Sequence, residues 1–334
     1  MERILNWKIT KDQEGMTIDQ FLRTRGCSHH VLTHLKRTEC GILCNGIWAY
    51  TNQKLKYEDE LEIHLIESEA SDQILPVALP LDIVYEDEDL LVVNKSSDMP
   101  IHPSINNYEN TLANAVMYHY KEQGVSFVYR CINRLDRDTS GLLIIAKNMM
   151  SGAILSQMSA RREIHREYLT IVEGCLPEEG TIDAPIARLE GSAIMRCVDE
   201  AHGETAVTHF KRLTWIPCSE HSSLADTGII SYSDAGLQIA PTDSYKSASI
   251  EQRGLSLASV RLETGRTHQI RVHMKHIGHP MIGDFLYNPD AMDLIQRQAL
   301  HSHRLTFHHP ITGELLDFTC EMPEDMRRVL DLSK

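Results

Sequence analysis

The stretch NRLDRDTSGLLIIAKN, residues 133–148, decides how this chain is read. Its first half crowds Arg134, Asp136, Arg137 and Asp138 into one polar segment. Its second half, GLLIIAK at 141–147, is a continuous apolar run of the kind carried by a strand buried on both faces. A charged segment therefore opens onto a core strand, which puts Asp136 at the lip of a sheet. Nearby positive charge favours the ionised carboxylate, so Asp136 is a candidate nucleophile. The plainer alternative is a salt-bridged turn, since most Arg-Asp runs are solvated.

Outward from that stretch the pattern mixes helix and strand. LDIVY (81–85) and LLVVNK (90–95) flank Glu86 to Asp89, which reads as an acidic hairpin turn. Thr111 begins an amphipathic helix that fades at Gly124, and Ser151 caps the next one. EYLTIVEG (167–174) and TAVTHFKRL (205–213) alternate as half-buried strands, and SLASVRLE (256–263) follows. Thr267 then caps a helix to Ile277, with Gly278 and Pro280 as its stop. On it Ile270, Met274 and Ile277 form a buried stripe, while His268, Arg271 and Lys275 share a polar face. This order is not a regular βαβ alternation. It predicts an α+β fold with a mixed, mainly antiparallel sheet rather than a doubly wound one.

The beginning of the chain reads as a small α/β unit of its own, residues 1–70. Thr17-Ile18-Asp19-Gln20 carries a capping box. Ser28 can cap a second helix bearing Val31, Leu32 and Leu35, which Gly41 would end. Asn45-Gly46 between ILC and IWAY marks a two-residue hairpin, and LEIHLIE closes the unit as a strand. Residues 71–80 form a linker, and 81–330 form the larger domain. Inside it, residues 216–254 hold eight serines and five acids without a sustained period, so they read as a surface insertion between two strands that could pair directly.

Composition narrows the function classes. The 334 residues are 42% hydrophobic, enough for at least one full core. No apolar run approaches the roughly 18–20 residues that span a bilayer, and the polar start MERILNWKIT does not resemble an export signal. Eight cysteines are scattered with no CxxC pair, which predicts neither a disulfide framework nor a zinc ribbon and points to the cytoplasm. His273, His276 and His279 recur at three-residue steps, but no Cys or carboxylate completes a metal site. The formal net charge of −14 argues against a nucleic-acid binder if taken alone. Its distribution argues otherwise: residues 71–100 sum to −6, whereas 130–166 sum to +4 and 261–276 to +3.

NRLDRDTSGLLIIAKN resembles the signature of the RluA-like family of RNA pseudouridine synthases. LDIVYEDEDLLVVNK with IHPS is similar to that family's opening strand pair, REYLTIVEG to its Tyr-bearing strand, and LETGRTHQIRVHMKHIGHPMIGD to its second signature. HSHRLTFHHPITGELLDFTCEMPEDM is similar to its closing segment. These blocks span about residues 80–326 in the same order. Residues 1–70 resemble an S-four-type RNA-binding domain, with SHHVLTHLKRTECGILCNG as the matching core. Departures are Asn133 where the family usually has His, Ser96 and Asp98 for Pro and Gly, Glu204 for Lys, and His29 and His30 where arginines are usual.

The resemblance implies a pseudouridine synthase catalytic fold acting on ribosomal or transfer RNA, without cofactor or metal; apart from the resemblance, a cytoplasmic monomer is expected. It implies that Asp136 attacks the target nucleotide at the ribose or assists an elimination. Tyr168 would stack on the flipped uracil, and Arg271 would pair with Asp136. Arg134 would brace the gap left by the base, and RNA contacts would come from Arg134, Arg137, Arg166, Arg266, His268, Lys36 and Arg37. Two rivals are a catalytically inactive RNA-binding protein on the same fold and a hydrolase using the same aspartate.

Overall fold

The computed structural model describes residues 1–67, 71, 73–217 and 254–332. The chain divides into two compact units. The first comprises Met1–Arg137, Leu142–Ile164 and Thr306–Phe318, and the second comprises Asp138–Gly141, His165–Leu305 and Thr319–Lys334. The expected insertion lies outside the described residues except at its rims.

The first unit opens with β1 (Glu2–Lys8), α1 (Ile18–Thr24), α2 (His29–Arg37), β2 (Ile42–Cys44), β3 (Ile47–Trp48) and β4 (Glu60–Ile66). The strands form one sheet in the order β1-β4-β2-β3. Thr17 and Gln20 make the expected capping box, and Ser28 Oγ accepts the Val31 N–H at 3.3 Å. Asn45 and Gly46 take positive φ of 53° and 74°, the twist a two-residue hairpin needs. Gly41 is not the helix stop: α2 ends at Arg37, and Thr38 is already extended.

β5 (Asp82–Glu86), β6 (Leu90–Lys95), α3 (Leu112–Glu122), β7 (Ser140–Ala146) and α4 (Met149–Ala160) follow. Every residue of β7 is buried, as its apolar run requires. One expectation needs correction here. Ser151 is not the cap of α4; the cap is Asn148, whose side chain accepts the Ser151 N–H at 2.9 Å. The turn Glu86 to Asp89 is the expected acidic hairpin turn, joining the antiparallel β5 and β6, and its acids are heavily engaged. Asp89 is buried, forked by Arg3 at 3.0 and 2.9 Å and bonded by Asn148 and Ser151. Asp87 accepts the Asp89 and Leu90 N–H groups and the Tyr85 hydroxyl. Distant donors fold in over these acids and turn a hairpin tip into a junction. Phe21, Leu22, Val31, Leu32, Leu35, Leu61 and Ile63 share one core with Met149 and Met150 of α4.

The second unit contains β8 (His165–Glu173), β9 (Glu179–Asp183), β10 (Ile186–Arg188), β11 (Arg196–Val198), β12 (Val207–Pro217), β13 (Gly254–Leu262), α5 (Gln269–His276), β14 (Leu300–His308), β15 (Leu315–Thr319) and α6 (Glu324–Leu332). Of these strands, β14 from Thr306 onward and β15 as far as Phe318 belong to the first unit. The strand order is β14-β8-β13-β12-β9, and β13 is antiparallel to both β8 and β12. β12 and β13 pair directly up to Pro217 opposite Gly254, so Ile216, Pro217 and Gly254 are strand rather than insertion. β8, expected to be half buried, is buried on both faces from Tyr168 to Val172. β14 pairs in parallel with the first residues of β7, His301 opposite Ser140 and Ser302 opposite Gly141. Only glycine fits there: φ at Gly141 is 113°, and a Cβ would stand 2.3 Å from the Ser302 carbonyl oxygen.

His301 sits buried at this contact, with Nδ1 2.9 Å from Ser140 Oγ and Nε2 3.1 Å from Cys320 Sγ. Burial, with the charges of His303 and Arg297, pushes its imidazole down from 6.5 to about 4. The folded chain thus holds a neutral ring while the unfolded chain takes up a proton. Stability is intact above about pH 6.5 and falls toward pH 4, by on the order of 3 kcal/mol from this group. Urea midpoints followed across that window should show the loss, and His301→Gln should flatten it. An unchanged slope in the variant would exclude His301 as the cause.

Candidate active site

The segment carrying Asp136 is fixed from several sides within the first unit. Ile132 N donates to Ile144 O at 2.8 Å, and the buried Asn133 takes the Ile144 N–H on Oδ1 at 2.9 Å. Asn133, where the resembling family usually has His, is therefore a clamp onto β7. Leu135 is buried. On the other flank the Arg137 carbonyl accepts from Lys95 Nζ at 2.8 Å and from Met99 N at 3.2 Å. Lys95 is itself buried, and its ammonium also reaches the carbonyls of Ser96 and Met99. Asp136, half-buried between these anchors, has little main-chain freedom.

Arginines border it. Arg134 is exposed, and its charge, after burial, helps hold the His102 imidazole below its ordinary value. Arg137 is exposed and pairs with Asp98 at 3.0 Å. Asp98 takes φ of 54°, a conformation glycine adopts readily and Asp tolerates, which accounts for its standing where the family usually has Gly. Lys36 and Arg37 lie at the exposed end of α2, and Lys36 reaches Asp19 at 3.6 Å.

The second unit brings together Arg266, His268 and Arg271 around α5, with Arg166 on β8 beside the segment that leads into that helix. Tyr168 is buried on β8, opposite Val260 of β13. Arg166 lies over Gly265, where a Cβ would come within 3.3 Å of Nη2. Thr267 does not cap α5. The cap is His268, left-handed at φ 58° and without a side-chain cap bond, and Gln269 does the anchoring instead. Its Oε1 accepts from Arg266 N at 3.0 Å and Thr264 Oγ1 at 2.8 Å, and its Nε2 donates to Val207 O and Thr208 Oγ1. Arg266 is exposed and pairs with Glu204. His273 is no metal ligand, since Nε2 donates to Ala184 O at 2.9 Å and Nδ1 faces Thr208 Oγ1 at 2.8 Å.

Arg271 departs most from its local pattern. Its side chain is 2% exposed, against a polar-face expectation, and forks onto the fully buried Asp284 through Nε and Nη2, both at 2.7 Å. Asp284 Oδ1 also accepts the Leu286 and Tyr287 N–H groups. The guanidinium lies 5.0 Å from the Tyr287 ring centroid and 5.8 Å from that of Phe285. Tyr287 Oη accepts the Arg196 N–H at 2.8 Å and lies within hydrogen-bond distance of His268 Nδ1, 2.9 Å away. Chemically this is a permanently charged donor held in a buried fork beside a tyrosine that is hydrogen-bonded to an imidazole. Sequence reasoning missed Asp284, Lys95, Gln269 and Tyr287. Asp284 was visible as the last letter of the IGHPMIGD block, and Lys95 as the lone base in an acidic run.

A family model described as RNA pseudouridylate synthase matches residues 89–276. The chain is 34% identical over 316 residues to the RNA pseudouridine synthase YjbO of Bacillus subtilis, covering 94% of this chain and 98% of that protein. It is 39% identical over 265 residues to the ribosomal large subunit pseudouridine synthase D of Zymomonas mobilis, covering 75% and 72%. The fold is similar to human RNA pseudouridylate synthase domain containing 1, with a TM-score of 0.53 at 24% identity over 72% of this chain and 83% of that one. With the mixed α+β architecture already described, these matches establish that the chain belongs to the RNA pseudouridine synthases and is an isomerase of that family.

Proposed function

We propose that this enzyme isomerises uridines of ribosomal or transfer RNA, with Asp136 as the catalytic carboxylate, Tyr168 as the ring that stacks on the target base and Arg271 as the cation of the site. The observation that carries this reading is the anchoring of Asp136: Leu135 is buried on one side, and the Arg137 carbonyl is held by Lys95 and Met99 on the other. A nucleophile needs such pre-positioning. The reaction is internally balanced. The bond from ring nitrogen to the sugar breaks, a bond from ring carbon five to the same sugar carbon forms, and the proton lost from that carbon is matched by one gained on the nitrogen. Arg134, Arg137, Arg166, Arg266 and His268, with Lys36 and Arg37, are the proposed RNA contacts. Residues 1–70 serve as an RNA-binding domain joined through 71–80 to the catalytic domain at 81–330. Relatives named for the large ribosomal subunit support ribosomal RNA as substrate. Action in the cytoplasm as a monomer belongs to the same reading.

The test is carbodiimide mapping of pseudouridine in total RNA from cells with and without the gene. Particular sites in ribosomal or transfer RNA should vanish on deletion and return with wild type but not with Asp136→Asn. Sites restored equally by the Asn variant would overturn the assignment.

A further inference from the structure

The β2–β3 hairpin carries a surface that the catalytic reading leaves unused. β3 is the edge strand of its sheet, and alternation turns Trp48 and Tyr50 outward while Ala49 points into the core. Trp48 is 49% exposed, Tyr50 70% and the neighbouring Ile47 73%, a large apolar area to leave in water. The two aromatic rings already stack on each other, 6.1 Å apart and inclined by 23°. Residues 45–57, NGIWAYTNQKLKY, contain no acid and expose Lys54 and Lys56 in a chain that is otherwise strongly acidic. The nearest acids in sequence are engaged: Glu58 pairs with Lys8 at 3.2 Å, and Asp59 bonds Asn45 and the Lys56 N–H. Just past Tyr50 the Thr51 carbonyl accepts the Asp19 N–H at 2.8 Å, and the Asp19 carboxylate gathers Arg23 and Lys36 beside the hairpin.

Exposed rings bordered by lysines, on a segment that itself carries no acid, match unpaired nucleotides, whose bases stack and whose phosphates need positive charge. A greasy protein partner would not call for the lysines or for the exclusion of acids. We propose that Trp48 and Tyr50 form a stacking platform for an unpaired segment of the substrate RNA, with Lys54, Lys56 and Lys36 facing its phosphates. The platform fixes which single-stranded feature of the RNA is held while a uridine elsewhere is modified.

The test is fluorescence anisotropy of full-length protein in the Asp136→Asn background, so that the outcome is independent of the catalytic assignment. The probe is a short labelled oligoadenylate, which offers no uridine to the active site, with the same strand annealed to oligouridylate as a duplex control. Trp48→Ala with Tyr50→Ala should weaken oligoadenylate binding by about tenfold or more and leave duplex binding unchanged. Trp48→Phe with Tyr50→Phe should restore most of the affinity. Wild-type affinity in the Ala pair, or an equal loss for strand and duplex, would overturn the proposal. So would concentration-dependent self-association of the wild type that the Ala pair abolishes, since the surface would then belong to a second copy of the chain.

Discussion

Asp136→Asn is expected to lower turnover of a substrate RNA by at least about a thousandfold while leaving the thermal midpoint and RNA affinity close to wild type. The reasoning starts from what holds the loop. Its anchors are Leu135 in the core, Asn133 on the β7 backbone and the Arg137 carbonyl under Lys95 and Met99, and none of them uses the Asp136 side chain. The amide is the same size as the carboxylate, so packing is conserved. What disappears is the negative charge and the oxygen proposed as nucleophile, and removal of a nucleophile costs three or more decades when no other group can substitute. Single-turnover kinetics beside a melting curve would check this. Residual turnover above about one-thousandth would mean that Asp136 assists rather than attacks, and a collapsed midpoint would mean that the carboxylate is structural. The contrast with Lys95 sharpens the point: Lys95→Met removes three hydrogen bonds to loop carbonyls and should damage folding and turnover together.

Local signals in the sequence translated well into structure. The capping box at Thr17, the Asn45-Gly46 hairpin and the apolar run of β7 each depend on neighbours within a few residues, so short-range pattern sufficed. Strand β1 had no such signal. Only Leu5 of its residues is fully buried, and its partner β4 lies some sixty residues away. The acidic run at 86–89 showed its hairpin turn but not the burial of Asp89, because the compensating charge comes from Arg3, 86 residues distant. The start of α5 misled for a different reason: Thr267 has the right chemistry for a cap, but Gln269 reaches Thr264, Arg266, Val207 and Thr208 at once, and that network leaves His268 to turn the chain. The candidate site repeats this division. Its charged residues stand in recognisable blocks, whereas the groups that aim them are met only after the chain has folded back.

Arg271 and Asp284 show how much rests on such a returning partner. On helical spacing Arg271 belongs with His268 and Lys275 on a wet face. Instead both members of the pair are out of water, at 2% and 0% exposure, and joined by two bonds of 2.7 Å. Breaking a buried pair leaves its remaining charge out of water without that counter-ion, at a cost of about 3–5 kcal/mol. Asp284→Asn should therefore lower the unfolding free energy by about that much. Arg271→Lys should be milder in stability but severe in turnover, by about a hundredfold or more, because an ammonium cannot make the fork or lie flat over Tyr287. Structural and catalytic contributions separate in the combined variant Arg271→Met with Asp284→Leu. Two apolar side chains remove both charges of this pair, and pairs replaced in this way often regain the lost stability. Urea unfolding of the double variant should accordingly lie nearer to wild type than that of Asp284→Asn, while its turnover should stay as low as that of Arg271→Lys. If turnover recovered with stability, Arg271 would be a strut for α5 and its place in the chemistry would be withdrawn.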